Sequence, residues 1–244
     1  MVRLFLVISL LIGGLFMEAA AQEKFETEVI KTSAGNLEIT FIGHGTLMFT
    51  FGGKLIHVDP WTQLGDYSKL PKADLILITH EHRDHLDLKA VEILRKERSA
   101  IVCPKISAEQ VKGATVMNNG DVKTVEGLTI KAVPAYNLVH KRDTGQPFHP
   151  KGDGNGYIIT FGDKNVYVAG DTENIPEMKA LKGIDIAFLP MNLPYTMTPE
   201  MVADAAVAFK PKTLYPYHFG ETDASKISAL LKDSGIDVRI RKMK

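Results

Sequence analysis

Leu75-Ile76-Leu77-Ile78-Thr79-His80-Glu81-His82-Arg83-Asp84-His85 is the stretch on which the fold turns. Its first four residues form an unbroken aliphatic run, the pattern of a short buried strand. The residues that follow are crowded with groups that bind protons or metals: five of the six side chains from His80 to His85 are titratable. Side chains two apart on extended backbone point the same way, so His80 and His82 can hold one ion. Asp84 and His85, where the chain turns toward the next helix, can face a second. Imidazole nitrogen with carboxylate oxygen is a donor set suited to zinc, or to iron or manganese in the same geometry. A solvated polar loop has no reason to concentrate donors in this way.

Outward from this segment, strand-like runs at 37–41, 75–78, 100–103, 128–133, 184–189 and 214–217 alternate with helical stretches. Thr198-Pro199-Glu200 is an N-cap, a proline in the first turn and an acid, opening a helix that Pro211 stops. Helices are also expected over 87–98, with Val91 and Leu94 on one face, and over 224–234, with Gly235 as its C-terminal cap. A hairpin recurs. Thr50-Phe51-Gly52-Gly53-Lys54 leads to a strand ending at Asp59, and Thr160-Phe161-Gly162-Asp163-Lys164 leads to a strand ending at Gly170-Asp171. Two similar halves, each a sheet with helices, fit the length of 244 residues. Cys103 closes an apolar run and reads as a small core residue.

Composition narrows the function. The chain has 29 basic and 29 acidic residues, a formal net charge of zero, and no extended basic run, which disfavours a nucleic-acid partner. One cysteine excludes an internal disulfide framework and a cysteine-rich zinc ribbon. At the N-terminus, Arg3 precedes an uncharged apolar run over 4–17, followed by Glu18-Ala19-Ala20-Ala21. These are the parts of a secretory signal peptide over 1–21, with the mature domain over 22–244 and Gln22 first. No second apolar run of that length follows, so the expectation is an exported, periplasmic or secreted protein without stable membrane insertion after signal removal. The oligomeric state is not encoded in any of these features.

His80-Glu81-His82-Arg83-Asp84-His85 resembles the signature of the metallo-β-lactamase fold superfamily, and the order of the remaining motifs agrees along nearly the whole mature chain. That resemblance implies an α/β fold, a four-layer αββα sandwich of two similar halves. It implies a dinuclear centre in which His80 and His82 hold one divalent metal ion, Asp84, His85 and His218 hold a second, and Asp171 of Gly170-Asp171-Thr172 bridges them. Asp59, in His57-Val58-Asp59-Pro60-Trp61, matches an early strand-end aspartate that orients a ligand histidine. Gly43-His44-Gly45-Thr46, Ala135-Tyr136-Asn137 and Phe148-His149-Pro150-Lys151 are similar to the small single-domain branch related to ascorbate-phosphate lactonase.

One position departs from the pattern. The superfamily usually has a histidine ligand at the strand end where this chain has Asn137, and His149 and His140 are the nearby substitutes. His149 is favoured because two prolines stiffen Gln146-Pro147-Phe148-His149-Pro150. Asn137, His44 and Tyr195 stand as candidate substrate contacts. The implied chemistry is hydrolysis of a small ester, lactone, amide or phosphodiester by water activated between two metals, most simply zinc, with Asp84 or Asp171 steering the proton. The alternative is a metal-binding or ligand-sensing protein of the same fold without turnover, for which Asn137 is the one supporting feature.

Overall fold

A computed structural model describes residues 25–243; the expected signal peptide over 1–21 lies outside these residues. The chain builds two seven-stranded sheets one after the other. The first contains β1 (Glu26–Thr32), β2 (Gly35–Gly43), β3 (Thr46–Phe51), β4 (Lys54–Val58), β5 (Leu75–Leu77), β6 (Ala100–Cys103) and β7 (Thr115–Val116), each bonded to the next. The second contains β8 (Val122–Val125), β9 (Leu128–Ala135), β10 (Gly154–Phe161), β11 (Lys164–Val168), β12 (Ile186–Pro190), β13 (Thr213–Tyr217) and β14 (Asp237–Val238), again in sequence order. In each sheet the first four strands are antiparallel and the rest run parallel to the fourth.

The hairpin repeat is the joint between these regimes. Phe51 pairs with Lys54 across Gly52-Gly53, and Phe161 pairs with Lys164 across Gly162-Asp163. Gly52 and Gly53 both have positive φ (56° and 75°), whereas the second turn begins with Gly162 at 60°. Such left-handed turn residues match the twist of the strands they join. Beyond each hairpin the chain needs helical crossovers to keep the next strands parallel, and those crossovers carry the site loops.

Alternation places the core. Leu75, Leu77 and Val102 point into the layer between the sheets, where Phe41 and Phe49 of the first meet Phe161, Phe188 and Tyr215 of the second. Their neighbours Ile76, Ile101 and Cys103 point the other way, against Ala90, Val91 and Leu94 of α1 (Leu88–Leu94). On the opposite side Tyr167 of β11 meets Phe209 of α2 (Pro199–Phe209) edge-on. Helix, sheet, sheet and helix follow one another, the αββα sandwich expected. Cys103 is a free, buried core thiol that burial pushes up to about 11.

Two helices are shorter than their patterns suggest. α1 starts as expected, with Asp87 Oδ1 accepting from Lys89 and Ala90 N–H, but stops at Leu94 rather than 98. Lys96 then donates its N–H to Ser99 Oγ, which itself bonds Ala73 O, and this turns the chain into β6. The last helix, Ser225–Leu230, likewise ends before 234, and Gly235 lies in the turn beyond it with φ 76°.

Candidate metal centre

The site forms where strands end. Asp59 follows β4, His80 to His85 follow β5, Asp171 follows β11 and His218 follows β13, so all project from the same edge of the sandwich. That is where α/β sheets gather functional groups, because the loops there connect to helices and are free of ladder bonds. His44, Asp59 and His218 are three of the five non-glycine residues with positive φ among the described residues (50°, 45° and 45°). Strain of this kind, held by the surrounding fold, concentrates at working sites. Gly45 shows how tightly the loops pack: a Cβ there would lie 2.8 Å from His85 Cε1 and 3.4 Å from His218 Cδ2.

Three donor groups result, each with its atoms within 4.8 Å of one another: His80, His82 and His149; His44, Asp84, His85 and His218; and His80, His85 and Asp171. Asp171 lies between the first two. Its Oδ2 is 3.2 Å from His149 Nε2, 4.0 Å from His80 Nε2 and 3.7 Å from His218 Nε2, and its Oδ1 is 3.5 Å from His85 Nε2. Asp84 Oδ2 lies 3.0 Å from His44 Nε2 and 3.4 Å from His218 Nε2. The Nε2 atoms of His80, His85 and His149 and Oδ1 of Asp171 are buried without a hydrogen-bond partner. Four unsatisfied polar atoms converging on one spot are costly unless a cation completes them. By its own geometry, therefore, the donor set fits divalent metal ions.

The electrostatics agree. Burial works against charge on the Asp171 carboxyl, but the facing imidazoles of His218, His85 and His149 hold it well below the usual carboxylate range. Asp84 is likewise held down, because hydrogen bonds from His218 and His44 outweigh its burial. Burial also opposes charge on His85, yet Asp171, Asp59 and Asp84 push it up to about 10. A field that favours a proton so strongly favours a divalent cation more.

Two of the rings, His85 and His149, are held from behind. Asp59 is fully buried, accepts from Thr79 N–H (2.7 Å) and Thr79 Oγ1 (2.6 Å), and lies 2.8 Å from His85 Nδ1. This leaves His85 Nε2 to face the cluster. Asn137 does the same for His149: its Oδ1 accepts from His149 N–H at 3.0 Å and from His149 Nδ1 at 2.6 Å. Asn137 is 4% exposed and does not line the cleft, so its assignment as a substrate contact is corrected. His140 lies with Nδ1 2.8 Å from Glu173 and takes no place among the donors, whereas His149 does.

Above the donors opens a cleft of about 790 Å³, lined by His44, Trp61, Arg83, Arg142, Phe148 and Tyr195 among others. His44 packs its ring 5.0 Å from Trp61, and the exposed Tyr195 meets Phe148 edge-on at 5.1 Å. Both thus sit where a ligand would touch them. Sequence reasoning missed Glu173, a fully buried carboxylate two residues beyond Asp171; a glutamate after a Gly-Asp-Thr turn carries no spacing signal. It also passed over Arg142, which reaches the cleft only because the 141–149 segment folds back through the Lys141–Pro147 bridge.

Comparison with known proteins agrees with this geometry. The family model for the beta-lactamase superfamily domain matches residues 38–218, from β2 to the last histidine of the site. The chain belongs to the metallo-β-lactamase superfamily. Among relatives in this superfamily, a UPF0173 metal-dependent hydrolase of Koribacter versatilis is 35% identical over 200 residues, spanning 75% of this chain and 84% of its own. A crystal structure from Parabacteroides distasonis, of a protein named for metal-dependent hydrolysis, superposes with a TM-score of 0.87 at 51% identity, covering 91% of this chain and all of that one. The metallo hydrolase Igni18 of Ignicoccus hospitalis superposes with a TM-score of 0.70 at 28% identity, over 85% of this chain and 95% of its own. Among the described residues, no helix is long and apolar enough to cross a membrane.

Proposed function

We propose that this metal-dependent hydrolase uses two divalent cations, zinc by the character of its donors, to cleave a small ester, lactone, amide or phosphodiester. The observation that carries the reading is the convergence of unpaired His80, His85 and His149 Nε2 and Asp171 Oδ1 at the floor of the cleft. His80, His82 and His149 would hold one ion; Asp84, His85 and His218, with His44 alongside, the other; and Asp171 would serve both. Bound there, such a pair supplies acidification of water near neutral pH and Lewis-acid polarisation of a substrate oxygen.

The chain's own residues do the rest. Asp59 fixes which nitrogen of His85 faces the cluster, and Asn137 does so for His149. Asp84 is partly open to the cleft and touches His44, so the carboxylate can orient a water proton toward a leaving group. Trp61, Phe148 and Tyr195 form walls that exclude water from one side of a bound molecule. The lack of a histidine at 137 does not favour a protein without turnover, since His149 stands among the donors in its place.

The deciding experiment is metal content per chain together with a screen of lactone, ester and phosphodiester substrates. About two transition-metal ions per chain are expected, and the His80→Ala, His82→Ala double variant should lose one of them. Protein that takes up no stoichiometric zinc, iron or manganese would refute the reading. The same proposal includes export: N-terminal sequencing of the protein from its native host should begin at or within a few residues of Gln22, and an intact Met1 on cytosolic protein would overturn that part.

A further inference from the structure

We propose that Glu173 and Asn137 form a buried bracket that sets the tautomer and the aim of His149, the ring that takes the place of the strand-end histidine this chain lacks. The inference rests on the reading of His149 as a metal donor. Glu173 is fully buried and is met by four donors: Leu138 and Val139 N–H on Oε2, both at 2.7 Å, and His140 N–H (2.7 Å) and Asn137 Nδ2 (3.0 Å) on Oε1. Four N–H groups aimed at its two oxygens make Glu173 the acceptor in every one of these bonds.

The consequences run in one direction. Asn137 must turn its NH2 toward Glu173 and toward Tyr195 O, 2.9 Å away, because both are acceptors. Its Oδ1 is then left for His149, and the His149 backbone N–H at 3.0 Å fixes that orientation independently. An amide oxygen cannot donate, so His149 Nδ1, 2.6 Å from it, must carry the proton. Nε2 is therefore the free lone pair, and it is the atom that faces Asp171 at 3.2 Å. One fixed carboxylate thus dictates, through an amide, which nitrogen of a ring four loop residues beyond Gly145 is offered to the site. Asn137 and Glu173 are positioning residues; neither lines the cleft.

The test is ¹⁵N-histidine NMR on the full chain, as purified and zinc-loaded, with His149 assigned by its loss in His149→Gln. The expected result is a protonated Nδ1 in slow exchange in both states, with only Nε2 shifting when zinc is added. A protonated Nε2, or zinc on Nδ1, overturns the bracket. If the chain takes up no zinc, the metal reading fails, while the as-purified tautomer still decides the bracket. Asn137→Ala and Glu173→Gln provide the second measurement: each should weaken retention of one ion by about 10–100-fold and change the visible spectrum of the cobalt-substituted protein. In Glu173→Gln an NH2 must face either the 138–139 N–H pair or the donors on Oε1. Unchanged affinity and spectrum in folded variants would also overturn the proposal.

Discussion

Asp171 is asked to face more partners than any other side chain of the site, and its substitution separates shape from charge. Asp171→Ala removes the carboxylate that lies between the two donor groups, so two cations would face each other with less negative charge between them. Asp171→Asn keeps the shape and loses the charge. Metal retention should therefore fall in the order wild type, Asp171→Asn, Asp171→Ala, with hydrolysis lost steeply in both; two retained metals and normal turnover in Asp171→Ala would reduce the residue to a turn former. Asp59→Asn should fall between wild type and these variants. Asparagine tolerates the φ of 45° at this position, but its NH2 would meet either Thr79 N–H or His85 Nδ1–H where an acceptor is needed, so one ion should be held about 10–100-fold more weakly. Equilibrium dialysis against a chelator reads both series. Residue types in a short run pointed to His80, His82, Asp84 and His85, because the donors are adjacent in sequence. His149 was reachable only as one of two substitutes, and Glu173 not at all, because what defines them is a set of backbone N–H groups brought together by loop closure.

Strand and hairpin positions followed from period and turn chemistry: the run at 100–103 is β6 itself, and both glycine turns join the strands expected of them. Helix ends did not follow as well, since a serine bonding a distant carbonyl, as Ser99 does with Ala73 O, ends α1 without leaving a local signal. β4 carries a further consequence of burial. His57 is fully buried on this strand, its Nε2 3.2 Å from Pro71 O, and burial depresses its pKa to about 4 despite that bond. The unfolded chain, with a pKa near 6.5, binds this proton first, so the stabilisation is fully present above about pH 6.5 and is lost as pH falls toward 4. Between about pH 7.5 and pH 5 this one group should cost roughly 2 kcal/mol of stability. Urea unfolding of wild type and His57→Gln at the two pH values isolates it: the variant should lose less stability on acidification, and equal losses would show that His57 is protonated inside the fold.

At the scale of the whole molecule, charge is balanced in number but not in place. Among the described residues the other arginines are mostly paired: Arg95 with Glu92, Arg239 with Glu28 and Asp237, and Arg241 with Glu26 and Glu28. The two arginines that line the cleft are not. Arg83 is exposed and has no hydrogen bond or ion pair with a described residue, and Arg142 is placed over the Phe148 ring, 5.3 Å from its centroid, with a backbone carbonyl and the His82 ring as its hydrogen-bond partners. Among the described residues, the carboxylates lining the cleft are Asp84 and Asp171, and both are turned to imidazoles. With cations bound among those imidazoles, the two guanidiniums would add to a positive field at the mouth, against which Glu81 and Asp153 stand in the adjoining pocket. A substrate that carries a carboxylate or phosphate away from its scissile bond should then be favoured over its neutral counterpart by about tenfold or more at low salt, and the preference should shrink as ionic strength rises. Arg83→Gln with Arg142→Gln should raise KM for the anionic member of the pair while leaving its kcat and the neutral member nearly unchanged, because the guanidiniums hold a group that does not react. Trp61, the single tryptophan of the chain, lines the same cleft, so its fluorescence should report binding of a non-hydrolysable carboxylate in wild type and a weakened response in the double variant. Equal handling of charged and neutral substrates at low salt would mean that the arginines only keep the cleft mouth solvated.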